Sequence, residues 1–343
     1  MKIIRFSLFS FLGLTLAFVH TAQLWAKAPL TPKIVFSSWQ DGERGDIYLM
    51  DPDGSNKVNL TRDTLNHDSH PVFSPTGEQI LFVSDREVIR GDLYLMNADG
   101  NNMQKVFKTP ARRNHPTWSP DGKRIVYVRP NEEAIYIATI EGREETPLAQ
   151  VGQKGGMPDW SPDGTEIVFI SSIGTPRESG GALRIINVKT GKQDILLPDE
   201  LPLMAAPDWA PSGDRIVFSW LNRDVHDVNV IRKWGVFGVW DAETLYFINR
   251  DGSELIQLLN PNDKGRDITP IWSPWSDEIL FTQIRPNEVP PHNIFKFAPD
   301  SPVITQLTSE GTNRVGDWFD PAMLPVQLQA KLLTRLWGEL KQE

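Results

Sequence analysis

The chain has 343 residues, a formal charge of -9 and no cysteine. That acidic balance leaves no basic stripe to neutralise phosphates, which argues against a nucleic-acid partner, and the missing thiols remove disulfides, thiol catalysis and cysteine-ligated zinc together. Apolar residues at 40% and aromatics at 10% suffice for a sizeable core, and a length that ordinarily implies two or three domains can instead be one closed repeat array.

The amino terminus reads as a secretory signal peptide over residues 1–28. Lys2 and Arg5 precede a mainly apolar stretch from Phe6 to Val19, and small residues follow at Ala22, Ala26 and Ala28. This is the order of a basic region, an apolar region and a cleavage site, with cuts expected after Ala26 or after Ala28. The apolar stretch is short for a membrane span, and no later segment is long and apolar enough for one. The expected location is the periplasm or beyond.

Residues 33–320 are organised by a recurring stretch. Pro116-Thr117-Trp118-Ser119-Pro120-Asp121-Gly122 returns as Pro71 to Gly77, Pro158 to Gly164 and Pro207 to Gly213, degenerately as Pro270 to Ser276, and as a half-copy at Gly316 to Pro321. The aromatic anchors Phe73, Trp118, Trp160, Trp209, Trp272 and Trp318 are spaced by 45, 42, 49, 63 and 46 residues. Such periods mark a supersecondary unit that stacks on copies of itself. In each copy Pro presets φ at the second turn position and Gly takes the left-handed conformation. A β-branched run such as Arg124-Ile125-Val126-Tyr127-Val128 then returns, so the motif is a hairpin.

The first unit starts in its middle, at Ile34-Val35-Phe36, and lacks its aromatic strand. The last half-copy, Val315 to Phe319, can supply it. The predicted fold is therefore all-β: a six-bladed propeller of four-stranded antiparallel blades, closed by the C-terminal strand so that no sheet edge is left open. Two segments fall outside the repeat. In the fifth blade the insertion 221–242 carries Trp234, Phe237 and Trp240, either as an exposed binding patch or as an extra hairpin that satisfies its own aromatics. In the tail 321–343, Leu328, Leu332, Leu333, Leu336, Trp337 and Leu340 recur at helical spacing, which predicts a short amphipathic helix docked on the propeller or offered to a partner.

The residue before each inner strand should line one channel mouth: His70, His115, Met157, Ala206, Thr269 and Gly316. His70 and His115 are the weak candidates for a metal, since imidazoles are common ligands but the other four positions offer no hard donor. No cofactor is expected. Arg112, Arg113, Arg266 and Arg314 lie near the same places, and with Asp68, Asp159, Asp208, Asp267 and Asp317 they predict a mixed-charge mouth for a peptide or small polar ligand. The Asp before Trp at 159, 208 and 317 is expected to accept loop amides. The binding residues predicted are thus His70, Arg113, His115, Arg266, Arg314, Trp234, Phe237 and Trp240. No nucleophile elbow, phosphate loop or zinc-protease motif is present.

The repeated Trp-Ser-Pro-Asp-Gly, with Asp46-Ile47-Tyr48-Leu49-Met50-Asp51, Asp53-Gly54-Ser55 and Asn59-Leu60-Thr61, resembles the WD40-like PD40 repeats of the TolB β-propellers over about residues 33 to 320. That resemblance implies a six-bladed periplasmic propeller binding an envelope protein or peptide, with a peptidoglycan-associated lipoprotein as its partner. The resemblance implies an amino-terminal α/β domain as well, which is not expected here because the first repeat strand begins almost directly after the expected signal sequence. Similar repeats build oligogalacturonate lyases, in which channel histidines hold a metal. A metal-dependent polysaccharide lyase using His70 and His115 is therefore the alternative to a non-enzymatic binding module.

Overall fold

The computed structural model describes residues 27–40, 44–62, 66–153, 155–173, 180–199, 204–221, 243–259, 265–285, 292–301, 303–326, 328–329 and 332. The first blade holds β1 (Lys33–Trp39), β2 (Asp46–Met50) and β3 (Val58–Asn59). The second is β4 (Asp68–Phe73), β5 (Gln79–Ser84), β6 (Asp92–Asn97) and β7 (Gln104–Lys105), and the third β8 (Asn114–Trp118), β9 (Arg124–Arg129), β10 (Ala134–Thr139) and β11 (Thr146–Gln150). The fourth comprises β12 (Gly156–Trp160), β13 (Glu166–Ile173), β14 (Gly180–Asn187) and β15 (Gln193–Asp199). The fifth has β16 (Met204–Trp209), β17 (Arg215–Trp220), β18 (Thr244–Asn249) and β19 (Ile256–Gln257), and the sixth β20 (Arg266–Trp272), β21 (Ile279–Ile284), β22 (His292–Phe297) and β23 (Ile304–Gln306). The last strand, β24 (Thr312–Phe319), returns to the first blade, whose order is β24-β1-β2-β3.

That closure is antiparallel, with Ile34 opposite Trp318 and Ser37 opposite Arg314. The half-unit at each end of the chain is therefore one blade shared between them. The core is divided accordingly: each of six apolar clusters straddles two neighbouring blades. Leu81, Leu93 and Phe107 meet Trp118, Ile125 and Tyr127 between the second and third blades. Leu280 and Ile294 meet Ile34, Phe36 and Met50 between the sixth and the first. Burial at about 25 cal/mol per Å² is thus collected at interfaces around the ring, and the sixth cluster exists only because the ring closes.

The turns follow the sequence closely. Ser119 donates its N–H to Arg124 O and Gly122 donates to Ser119 O at 2.8 Å. Gly122 has φ 68° and the equivalent Gly77, Gly164 and Gly213 lie between 70° and 77°. In the degenerate copy Ser276 holds the same left-handed position at φ 61°.

Beyond β24, Asp320 caps a short 3-10 turn at Pro321–Met323 through the Ala322 N–H, and it also accepts the Trp275 indole N–H at 2.9 Å. Helical residues follow at Val326, Leu328, Gln329 and Leu332. Leu324, Leu328 and Leu332 pack with Ala28 against Phe73 and Phe319, so both described chain ends seal the boundary between the first and second blades. Among the described residues no helix is long and apolar enough to cross a membrane.

Candidate functional site

Every inner strand of the second to sixth blades carries a β-bulge at its X-Pro step. The register shifts between Ser69 and Val72, Asn114 and Thr117, Gly156 and Asp159, Ala205 and Asp208, and Ile268 and Ile271. The residue before proline there takes a left-handed φ: His70 52°, His115 49°, Met157 53°, Ala206 48° and Thr269 49°. A residue before proline ordinarily prefers extended backbone, and a β-branched threonine with positive φ is an outlier. Bulges re-aim side chains, and these five, with Val315 at the corresponding place in β24 and Gly316 at the place of the prolines, all line one cavity of about 380 Å³.

The ring they form is asymmetric. His70 and His115 meet edge to face with centroids 4.4 Å apart, and Met157 continues that side. Ala206, Thr269 and Gly316 are small, and they leave room on the side of the fifth, sixth and first blades. The cationic groups lie on this roomier side. Arg266 pairs with Glu243. Arg314 has no ion-pair partner among the described residues, and its guanidinium sits 5.8 Å from the centre of the Trp39 ring. Its side chain is open to channel solvent yet walled by protein, and this burial, followed by the neighbouring Arg266, lowers its pKa.

The imidazoles respond to the same surroundings. Burial, then Arg314, pushes His115 down to about 4. Burial, then His115 and Arg314, holds His70 well below its ordinary value. His292 is likewise pushed to about 4 by burial and by Arg314 and Arg266. All three are neutral at pH 7.

Two residues beyond the bulges lies a ring of carboxyls. Asp159 and Asp208 line the mouth cavity, and together with Asp317 they line a second cavity that opens toward the turns. Val72, Thr117, Asp159, Asp208 and Gly316 border both spaces, so Asp159 and Asp208 stand at the waist between the two cavities. Burial pushes Asp159 up to about 7. It raises Asp317 and, with the like charge of Asp159, lifts Asp208 well above the usual range. These side chains accept amides, as expected, but from a neighbouring inner strand and not from loops: Asp159 from Trp209, Asp208 from Trp272 and Asp317 from Phe73.

His70, His115, Arg266 and Arg314 are therefore brought together at one mouth. Arg113 is not. It is 1% exposed, bonded to Asp92 at 2.9 Å and to Glu145 at 3.0 and 3.2 Å, and stacked 3.7 Å from the centre of the Phe107 ring. Its place just before β8 placed it at the mouth by sequence, but its side chain turns into the boundary between blades. Trp234, Phe237 and Trp240 lie outside the described residues. Among the lining residues that escaped the sequence reading are three polar or aromatic ones. Trp39 ends a strand outside the repeated stretch, Glu243 follows the insertion directly, and Ser37 faces the channel from β1.

A metal fits this mouth poorly. Only two of the six ring positions are imidazoles, the rest are Met157, Ala206, Thr269 and Val315, and Arg314 adds a positive charge. Among the described residues no group of three or more His, Cys, Asp or Glu could hold a metal ion. No catalytic step is derived from one.

The fold and channel define a six-bladed propeller with a polar, asymmetric mouth. The chain belongs to the PD40 family, the TolB beta propeller domain, whose family model matches residues 19–195. Among solved structures it is similar to TolB from Acinetobacter baumannii, at 16% identity and a TM-score of 0.67, covering 83% of this chain and 66% of that one. This chain thus spans slightly less than two thirds of that relative. A protein assigned as TolB from Agrobacterium tumefaciens matches at 17% identity and 0.60, over 84% of this chain and 96% of its own. An oligogalacturonate lyase in complex with manganese matches at 17% and 0.51, over 82% of this chain and 74% of its own. At these identities the likeness concerns the fold. No curated protein matches the chain.

Proposed function

We propose that the chain is an exported, non-enzymatic binding module of the cell envelope that takes a protein or peptide across the channel mouth. The observation that carries this is Arg314: a cation without a carboxylate partner among the described residues, beside Trp39, on the rim of a concave site held by strained bulges. Backbone strain of this kind persists where surrounding structure enforces it and clusters at binding sites. An unpaired arginine next to an aromatic is the usual anchor for an acidic or polar partner. Membership of the TolB beta propeller family is what suggests the envelope setting, and a peptidoglycan-associated lipoprotein is the partner proposed from the resemblance of the repeats. The insertion 221–242 is part of this proposal as a second contact surface.

The test is co-purification from envelope extract with wild type, Arg314→Glu and a variant lacking residues 222–241. Loss of a peptidoglycan-associated lipoprotein with Arg314→Glu supports the reading. Undiminished capture by both variants would overturn it. The lyase alternative has no observation in its favour beyond the shared fold, because the donor set does not suit a metal.

A further inference from the structure

One fixed charge dominates the mouth cavity. Arg266 is engaged by Glu243, the histidines are neutral at pH 7, and burial keeps Asp159 and Asp208 from ionising readily. What remains is Arg314, which has no ion-pair partner among the described residues and is acted on, after burial, by another cation, Arg266. Its place is set by strand pairing. Arg314 stands opposite Ser37 in the register of β1 and β24, so their Cβ atoms lie about 4.5–5.5 Å apart on one face, and Trp39, two residues beyond Ser37, shares that face. The guanidinium is 5.8 Å from the centre of the Trp39 ring. That ring is packed by His67, with centroids 5.3 Å apart, and His67 is itself fixed by accepting the Gly45 N–H on Nδ1 at 3.0 Å. Ser37 is 2% exposed and lines the cavity, and its hydroxyl has no hydrogen bond to a described residue. A cation, an unused hydroxyl and a held aromatic ring therefore share one face, and Pro71, Ile268, Ile271 and Val315 make much of the remaining wall apolar.

We propose that the cavity takes a single peptide carboxylate flanked by an apolar side chain, with the carboxylate on the Arg314 guanidinium and the apolar group against Trp39. This rests on the mouth being the partner-binding face and names what the partner presents to it. A guanidinium offers a carboxylate two parallel N–H donors. One uncompensated cation balances a monoanion, whereas a phosphate dianion would bring a second charge with no partner into a largely apolar space. An ammonium group would be repelled, and an uncharged amide would leave the cation as it is. The volume of about 380 Å³ lies in the lower part of the range for small-molecule sites, roughly 300–1,000 Å³, which admits a chain end or a projecting side chain but not a folded domain.

The experiment is isothermal titration of the purified protein with four probes: N-acetyl-Leu-Gln-Leu as free acid, N-acetyl-Leu-Glu-Leu amide, N-acetyl-Leu-Gln-Leu amide and inorganic phosphate. The first carries a terminal carboxylate, the second a side-chain carboxylate and the third none. At least one of the two carboxylate peptides is expected to bind about ten-fold tighter than the uncharged peptide and than phosphate, as a hydrogen bond to a charged group allows, and the tighter of the two identifies the source of the carboxylate. Arg314→Gln, at a solvent-open position, should erase the difference between charged and uncharged peptides. Trp39→Ala should weaken all three peptides several-fold. Circular dichroism checks the fold of both variants, and the comparison of probes on wild type decides the matter even where a variant does not fold. Equal affinity for charged and uncharged peptides, tighter binding of phosphate, or a carboxylate preference that survives Arg314→Gln would overturn the inference. Such a failure with lipoprotein capture intact in wild type and lost in Arg314→Glu leaves the proposed function standing. A clear carboxylate preference without protein capture does the reverse.

Discussion

Asp159 on the fourth blade accepts the main-chain N–H of Trp209 on the fifth at 2.9 Å. Its second oxygen accepts the Thr117 hydroxyl of the third blade at 3.1 Å, so one carboxyl ties three consecutive blades at the channel waist. With the links from Asp208 and Asp317, a polar seam runs inside the apolar ring, enclosed enough that its members resist ionisation.

The seam makes stability depend on pH. The folded pKa of Asp159, about 7, lies above the ordinary 3.8. Its contribution is thus fully present below pH 3.8 and lost as pH rises through 7. His115, at about 4 against 6.5, acts in the opposite sense: its contribution is present above pH 6.5 and lost as pH falls through 4. Between these limits the two oppose each other, with Asp208 and Asp317 on the first side and His70 and His292 on the second. Asp159→Asn should tilt the balance so that Tm falls more steeply on acidification from pH 7 to 4.5. His115→Gln should tilt it the other way. Asp159→Ala, which also deletes both acceptors, should cost about 1.5–3 kcal/mol near pH 5. Thermal melts across this range check all three, and identical slopes for wild type and Asp159→Asn would rule the account out.

Closure of the ring depends on contacts at the seam between the first and second blades. A Cβ built on Gly77 would lie 2.3 Å from the Phe319 ring, whereas one on Gly122 meets nothing nearer than Pro75 at 3.8 Å. Both glycines have positive φ, so each alanine carries a conformational cost of about 1–2 kcal/mol. Only Gly77→Ala adds overpacking, about 1–3 kcal/mol more. Chemical denaturation should therefore rank Gly77→Ala well below Gly122→Ala. Equal midpoints would mean that Phe319 moves aside freely and that β24 is not held as tightly as its packing implies.

The repeat made most of this fold legible. Turn glycines, aromatic anchors and the matching half-unit at each end are local signals at a fixed period, and they led directly to six blades and their closure. The bulges were not legible, because the residue before a proline is expected to be extended and nothing in His70-Pro71 or Thr269-Pro270 announces a left-handed φ. The mouth was located from strand order alone, which correctly gathered His70, His115, Arg266 and Arg314. It misplaced Arg113 because side-chain direction depends on Asp92 and Glu145, residues 21 and 32 positions away. Glu243 and Trp39 were missed because each stands where the repeat is interrupted.

Arg113 accordingly belongs to stability. Its guanidinium is the main partner of Asp92, which is fully buried, and Glu145 also takes the Tyr127 hydroxyl at 2.6 Å. Arg113→Met removes the cation and strands a carboxylate, a class of change that costs about 3–5 kcal/mol. Urea unfolding should show a loss of that order, while the folded fraction keeps whatever ligand affinity the mouth has. A loss below about 1 kcal/mol would indicate that Lys105, 3.8 Å from Asp92, takes over the charge.

The sixth blade offers the opposite kind of change. Ser276 occupies the left-handed turn position, at φ 61°, that the other copies give to glycine at 68° to 77°. Holding serine there costs about 1–2 kcal/mol, and replacing it with glycine adds about 0.5–1 kcal/mol of unfolded-chain entropy. The difference favours Ser276→Gly by about 0.5 kcal/mol. The Ser276 N–H bond to Ser273 O at 3.0 Å is made by the main chain and survives the change. A Tm slightly above wild type is the expected result. A clear decrease would show that the Ser276 side chain contributes an interaction beyond the turn, and that the degenerate copy is held in place for more than its backbone.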